Sequence, residues 1–327
     1  MYNQDFLKRL EDHLRVALPR WGVAEDADLK LLTISENATF RVTREGARDM
    51  VFRVHRPDYH TRDEIVSELT WLDALTREGV VATPGLIPLT DGSLIADIDD
   101  GGRTRHVVAF EFVPGREPAP EDDLPRWFRE LGRIHATLHD HAQSWQPPSR
   151  FVRKTWTWES TVGPFPLWGD WRAALGLEPT GRALIERTVD ALGRRLARWG
   201  QSPARFGLIH ADLRLANLLV DDDRLVLIDF DDCGFSWFLY DFAAAVSFIE
   251  TDPQIPELLN AWFEGYRTVR PLTDADVAEM PAFIMLRRIL LTAWIASHSE
   301  TPTAEAMGVP YTHGTLDLAE TFLSRCG

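Results

Sequence analysis

Residues 208–232, "LIHADLRLANLLVDDDRLVLIDFDD", set polar and acidic side chains at fixed places among apolar runs that otherwise read as buried strands. The short apolar run "LIH" enters a loop, "ADLRLAN". "LLVDDDRLVLIDF" then reads as a β-hairpin whose turn is the solvated Asp221-Asp222-Asp223 cluster. Asp212, Asn217 and Asp229 fall in the loop or at strand ends, where a hairpin brings its entry and exit together. Carboxylates brought close in dry surroundings repel. Two carboxylates and an amide oxygen are also hard oxygen donors, so a divalent cation such as Mg²⁺, which usually arrives with substrate phosphates, would relieve that repulsion.

Around this stretch the texture of the chain changes near residue 113. Before it, "NATFRVT" and "DMVFRVHRP" are β-prone runs separated by the turn-like "REGAR". A helix is expected from about Arg62 to Glu78, with Ile65, Leu69, Leu72 and Leu75 as its apolar stripe and Gly79 as its stop. "GLIPLTDGSLIADIDDGGRTRHVVAFEFVPG" alternates strand-like runs with DG and GG turns and ends at Pro114-Gly115. Beyond this connector, "LPRWFRELGRIHATLHDHA" has helical spacing, and apart from the opening hairpin the remainder reads as mainly helical.

Composition bounds what such a chain does. Its 327 residues, 45% hydrophobic and 26% charged, suffice for one large or two medium folded domains. A net charge of −15 disfavours nucleic acid as a partner, because phosphate-backbone affinity comes from clustered Lys and Arg. Cys233 and Cys326 make neither a disulfide framework nor a CxxC metal knuckle. The N-terminus scatters charges among Phe6, Leu10, Leu14 and Leu18 at helical intervals, unlike a signal peptide. No stretch reads as an uncharged apolar span of about 18 residues, so the expectation is a cytoplasmic protein with no membrane partner.

The spacing His210-x-Asp212-Leu213-x-x-x-Asn217, followed by Asp229-Phe230, has the form of a kinase catalytic loop and its metal-binding element. With "IDFDD" and "LYDFA" downstream, the chain resembles the aminoglycoside phosphotransferase and choline kinase superfamily, the small-molecule branch of the protein-kinase-like fold. It is most similar to homoserine-kinase-like and stress-response-kinase-like bacterial members. The similarity runs from about Asn37 to Asp241, with Ala211 standing where relatives usually have Gly.

This resemblance implies an α+β, two-lobed protein-kinase-like fold. A small β-rich nucleotide-binding lobe would span 1–112, and a larger, mainly helical catalytic and acceptor-binding lobe 113–327. It implies an O-phosphotransferase using ATP (or GTP) and Mg²⁺ on a hydroxyl of a small metabolite such as an amino alcohol or an aminoglycoside-like molecule. Asp212 would be the catalytic residue that orients the acceptor hydroxyl, while Asn217 and Asp229 would hold the metal. Ser35 and Asn37, in "SENATF", would cover the nucleotide phosphates. Arg53 stands where kinases carry the ATP-binding Lys, with Glu68 as its helix partner. Glu111 belongs to "FEFVPG", the segment that would read adenine through its backbone. His210 would brace the loop, Asp241 would tie a helix start to it, and Asp231 reads equally as a metal or acceptor contact and as a partner of loop amides.

Two alternatives stand beside this reading: a Ser/Thr protein kinase of the bacterial stress-response type, and a nucleotide-binding scaffold without chemistry, for which Arg53 leaves room. The acceptor is less legible. Trp156, Trp158, Trp168 and Trp171 could cage a quaternary ammonium, but irregularly spaced Trp beside Pro and Gly more often packs a loop. Residues 251–327 hold ten acids against five arginines, which suits either a cationic acceptor or solvated helix faces. Arg287 or Arg288, in "MLRRILLTAW", could instead greet an acceptor carboxylate, as in homoserine. His135 and His139 have the spacing of a zinc pair but lack an evident third ligand.

Overall fold

The computed structural model of the chain describes residues 4–34 and 37–326, and these divide into two compact units. The first comprises residues 1–115 together with 147–153, and the second residues 116–146 and 154–327. The segment 147–153 thus packs with the first unit although it follows the connector in sequence.

The first unit opens with helix α1 (Gln4–Ala17) and is built on an antiparallel sheet of β1 (Asp28–Ile34), β2 (Ala38–Thr43), β3 (Met50–Val54), β4 (Ala96–Asp99) and β5 (Thr104–Glu111), ordered β1-β2-β3-β5-β4. Helix α2 (Arg62–Arg77) lies between β3 and β4 in the chain. Its start is fixed by a capping box in which Thr61 and Glu64 satisfy each other's backbone N–H groups. Side chains alternate across a strand, and the two faces of this sheet serve different cores. Phe52, Val54, Val107 and Ala109 join Leu10, Leu14 and Trp21, whereas Val108 and Phe110 join Ile65 and Leu69 of α2. Arg53, between Phe52 and Val54, therefore points to the α2 side.

The second unit begins with α3 (Leu124–Ser144), the short α4 (Trp158–Thr161) and α5 (Pro179–Trp199). Four short strands follow, β6 (Phe206–Ile209), β7 (Leu218–Asp221), β8 (Arg224–Leu227) and β9 (Gly234–Trp237), paired as β6 with β9 and β7 with β8. Then come α6 (Tyr240–Ala245), α7 (Ile255–Arg267), α8 (Asp274–Ser297) and α9 (Pro302–Cys326), the last kinked at Gly308. Glycines at Gly132 of α3 and Gly265 of α7 leave no room for a Cβ against the facing helix backbone, so the two helices lie in direct contact. By length and composition α8 is apolar enough to cross a bilayer, but 78% of its most apolar stretch is buried inside the protein and Arg287 and Arg288 sit within it. It is a core helix.

Candidate active site

The β7–β8 hairpin sets two of the candidate residues. Leu218 pairs with Leu227, and beyond that pair Ile228 N–H donates to Asn217 O at 3.0 Å, so Asn217 and Ile228 face each other and Asp229 follows at once. Asp229 takes a left-handed backbone (φ 62°), which a short carboxylate side chain tolerates and which turns the chain out of the strand. Asn217 then reaches back to the loop: its Nδ2 donates to Asp212 O at 2.7 Å and to Asp212 Oδ2 at 2.9 Å. That choice leaves the Asn217 Oδ1 acceptor for something else. Asp212 Oδ1 meanwhile receives Nη2 of Arg287, a buried side chain from α8.

The loop is braced from below. Ala211 is left-handed (φ 68°), a conformation that favours glycine, and its N–H donates to Asp241 Oδ1 at 2.8 Å. Asp241, in the first turn of α6, accepts a second hydrogen bond on Oδ2 from His139 Nε2 at 2.8 Å. His210 accepts the Asp212 N–H on Nδ1 (3.4 Å) and must therefore donate from Nε2 to Ile228 O (3.2 Å). Both ring nitrogens serve the loop, which makes this histidine a brace. His135 Nδ1 accepts from Trp262 Nε1, and His139 Nδ1 lies 2.9 Å from the Tyr266 hydroxyl, so both rings are taken up in packing and the zinc-pair spacing is structural.

Burial sets the protonation of this cluster. It pushes the pKa values of His135, His139 and His210 down, that of His135 to about 3. Burial acts to raise Asp241, but His135 and the hydrogen bond from His139 outweigh it and hold the carboxyl at about 2. An unfolded chain protonates these imidazoles below its ordinary pKa near 6.5, whereas the native chain holds them neutral to lower pH, His135 to about 3. The native state thus binds fewer protons, and stability is full above about pH 6.5 and falls as the pH drops towards 3. At about 1.4 kcal/mol per unit, His135 alone can contribute several kcal/mol across that window. A thermal-unfolding series should show the midpoint declining from pH 7 to 5, less steeply in His135→Gln; a level midpoint would contradict this account.

In the first unit, Arg53 and Glu68 meet as a buried ion pair, Nη2 lying 2.6 Å from both carboxylate oxygens, with the guanidinium over the Phe110 ring. Asn37 Oδ1 accepts the Arg56 N–H at 3.1 Å. Ser35 lies outside the described residues. Glu111 ends β5; its N–H donates to Gly85 O, its side chain lies 3.5 Å from exposed Arg48, and the next N–H, of Phe112, goes to Asp49 O.

A family model described as "Phosphotransferase enzyme family" matches residues 28–272. The chain belongs to this family. A solved structure of a microcompartment-associated aminopropanol kinase is similar to 96% of this phosphotransferase and 98% of its own chain, with 46% sequence identity and a TM-score of 0.89. The homoserine kinase of Methylobacillus flagellatus is 35% identical over 267 residues, 80% of this chain and 75% of that protein. The amicoumacin kinase of Bacillus subtilis is 25% identical over 293 residues, 86% of this chain and 83% of that protein. The phosphotransferase is accordingly a two-lobed, kinase-like enzyme that phosphorylates an alcohol group of a small molecule, and the protein-kinase and scaffold alternatives do not hold.

On the acceptor side the phosphotransferase differs from two sequence readings. Arg287 and Arg288 are not offered to a ligand carboxylate. Arg287 is 2% and Arg288 3% exposed, and both are engaged internally. Arg288 reaches Glu250 Oε2 (2.6 Å), Thr315 Oγ1 (2.8 Å) and Tyr311 O (2.7 Å), while Arg287 serves Asp212. Nor do the tryptophans form an open cage. Trp156, Trp158 and Trp171 donate their indole N–H groups to the carbonyls of Asp232, Val189 and Val162 respectively, as loop-packing residues do. The contact of Arg287 with Asp212 spans 75 residues of sequence. Its trace in the sequence is two arginines inside an otherwise apolar helix, a place where charge requires a partner.

Proposed function

We propose that this phosphotransferase moves the γ-phosphoryl group of ATP to the hydroxyl of a small amino alcohol that carries no carboxylate. The carrying observation is the Asp212 carboxylate, engaged on Oδ1 by Arg287 and on Oδ2 by Asn217, with Oδ2 retaining a lone pair for an acceptor O–H. A hydroxyl so held would be oriented for attack on the γ-phosphorus and could pass its proton to Asp212 as the new P–O bond forms and the bond to the leaving ADP oxygen breaks. Arg214, a third exposed, has Nε 3.6 Å from Oδ2, where a cation suits charge gathering on the transferring group.

Asn217 Oδ1 and the Asp229 carboxylate are hard oxygen donors of the kind that suit Mg²⁺, whose charge would offset that of the nucleotide phosphates. By the family resemblance Arg53, held by Glu68, would contribute to binding the nucleotide phosphates as a lysine does in other kinases, as would Asn37. Because the Glu111 and Phe112 N–H groups are already bonded within the unit, adenine would be read through the Glu111 carbonyl or the residues that follow. The similarity to an aminopropanol kinase supports an amino alcohol, and the internal engagement of Arg287 and Arg288 supports one without a carboxylate.

The test is ADP release by the purified protein with Mg-ATP and separate acceptors: 1-amino-2-propanol, ethanolamine, homoserine and an aminoglycoside. A carboxylate left without a partner costs about 1–3 kcal/mol, so kcat/KM should favour the carboxylate-free amino alcohols over homoserine by about tenfold to a hundredfold. Homoserine as the best acceptor would overturn the reading. Replacing ATP with GTP in the same assay identifies the donor.

A further inference from the structure

We propose that Arg287 is a positioning residue for phosphoryl transfer, acting through Asp212. This rests on the assignment of Asp212 as the group that orients the acceptor hydroxyl. The guanidinium is fixed on every side. Nε donates to Ser247 Oγ at 3.0 Å, Nη1 to Tyr240 Oη at 3.3 Å and to Ala211 O at 3.4 Å, and Nη2 to Asp212 Oδ1. Its plane lies near the Trp168 ring, with 5.0 Å from Cζ to the centroid. Burial opposes its charge, but Tyr240 and Asp212 prevail and its pKa is raised, so it is a permanent cation behind the carboxylate.

This arrangement fixes the rotation of a carboxylate that would otherwise have two equivalent oxygens to offer. Oδ1 is engaged from the buried side, and Oδ2 becomes the oxygen that faces an acceptor. Arginine suits the task because its planar fork serves three directions at once, with Nη2 on Asp212, Nη1 on the Ala211 carbonyl of the same loop and Nε on Ser247. A lysine keeps the charge but cannot hold all of these partners. Side chain and backbone of the loop are therefore located against α8 by one group that need not touch substrate.

The test uses full-length Arg287→Lys, with turnover on the amino alcohol normalised to the folded fraction found by thermal unfolding. Misplacement of a reacting group by about 1 Å can cost about a hundredfold, so kcat should fall by about tenfold to a hundredfold while KM for acceptor and nucleotide stays near the wild-type value. Introduced into Asp212→Asn, the same change should lower the residual rate no further, because the residue acts through that carboxylate. An unchanged kcat per folded molecule would leave Arg287 a merely structural residue, and a raised acceptor KM at unchanged kcat would make it a binding group; either overturns the proposal. Should wild type phosphorylate none of the amino alcohols, the acceptor assignment fails separately. The slow hydrolysis of ATP, with water as acceptor, then compares wild type with Arg287→Lys on the same terms.

Discussion

Asp212→Asn is expected to lower kcat by about 10²- to 10⁴-fold, the range for losing an aligned acid–base group, with nucleotide affinity nearly unchanged. The reason lies in the partners of the carboxylate. Arg287 Nη2 on Oδ1 and Asn217 Nδ2 on Oδ2 are both donors. A carboxamide must turn its own NH₂ towards one of them whichever way it is flipped. Facing Asn217, it offers no acceptor to the substrate hydroxyl; facing Arg287, it sets donor against buried cation and disturbs the loop. ADP release with an amino alcohol measures the first quantity, and the nucleotide-induced shift in unfolding temperature the second. Turnover equal to wild type would remove Asp212 from its role.

The largest expected effect on stability is in the core between α8 and α9. Glu250 is fully buried and accepts from Arg288 on Oε2 and from the Tyr311 hydroxyl on Oε1. Arg288 also lies over the Tyr311 ring, 3.4 Å from its centroid. Glu250→Ala leaves that guanidinium without its counter-charge in a site water does not reach. Removing one partner of such a pair costs about 3–5 kcal/mol, a large share of the roughly 5–15 kcal/mol that holds a folded protein together. Replacing both partners by apolar residues of similar size, Glu250→Leu with Arg288→Met, should recover much of the loss, because the uncompensated charge is gone. Urea unfolding of the single and double variants checks both statements; a double variant no more stable than Glu250→Ala would show that the pair itself, and not the stranded charge, carries the stability.

Local chemistry was legible in the sequence and long-range partnership was not. The hairpin at 218–227 follows from alternating runs around a triple-Asp turn, and α2 follows from its apolar stripe, ending at Arg77 where the sequence suggested Glu78. Arg53 opposite Glu68 was expected from the resemblance, and strand alternation explains the pairing, since the neighbours Phe52 and Val54 face the other core. By contrast β9 is a four-residue run without distinct turn signals, and its strand partner, β6, lies across the whole loop and hairpin. The sequence leaves Arg287 and Arg288 equally open as acceptor contacts, because nothing in a linear pattern says which of two adjacent helical arginines faces which neighbour. A one-residue step on a helix turns a side chain by about 100°, and here that step separates an arginine serving the Asp212 loop from one serving the helix core.

The hairpin separates chemistry from chain length. Its ladder runs from the Leu218–Leu227 pair to the Asp221–Arg224 pair, and past that lie exposed Asp222 and Asp223, the latter making a surface ion pair with Arg126 that contributes little to stability. Residues spliced in at this tip extend into water and leave the register at the far end as it was. One residue inserted between Asn217 and Leu218 would turn Asn217 to the opposite face and take it away from Asp229. For an enzyme to be labelled, tethered or fused, the Asp222–Asp223 junction is thus a natural splice point: a dye or short epitope carried there would sit on the same two strands that hold Asn217 and Asp229.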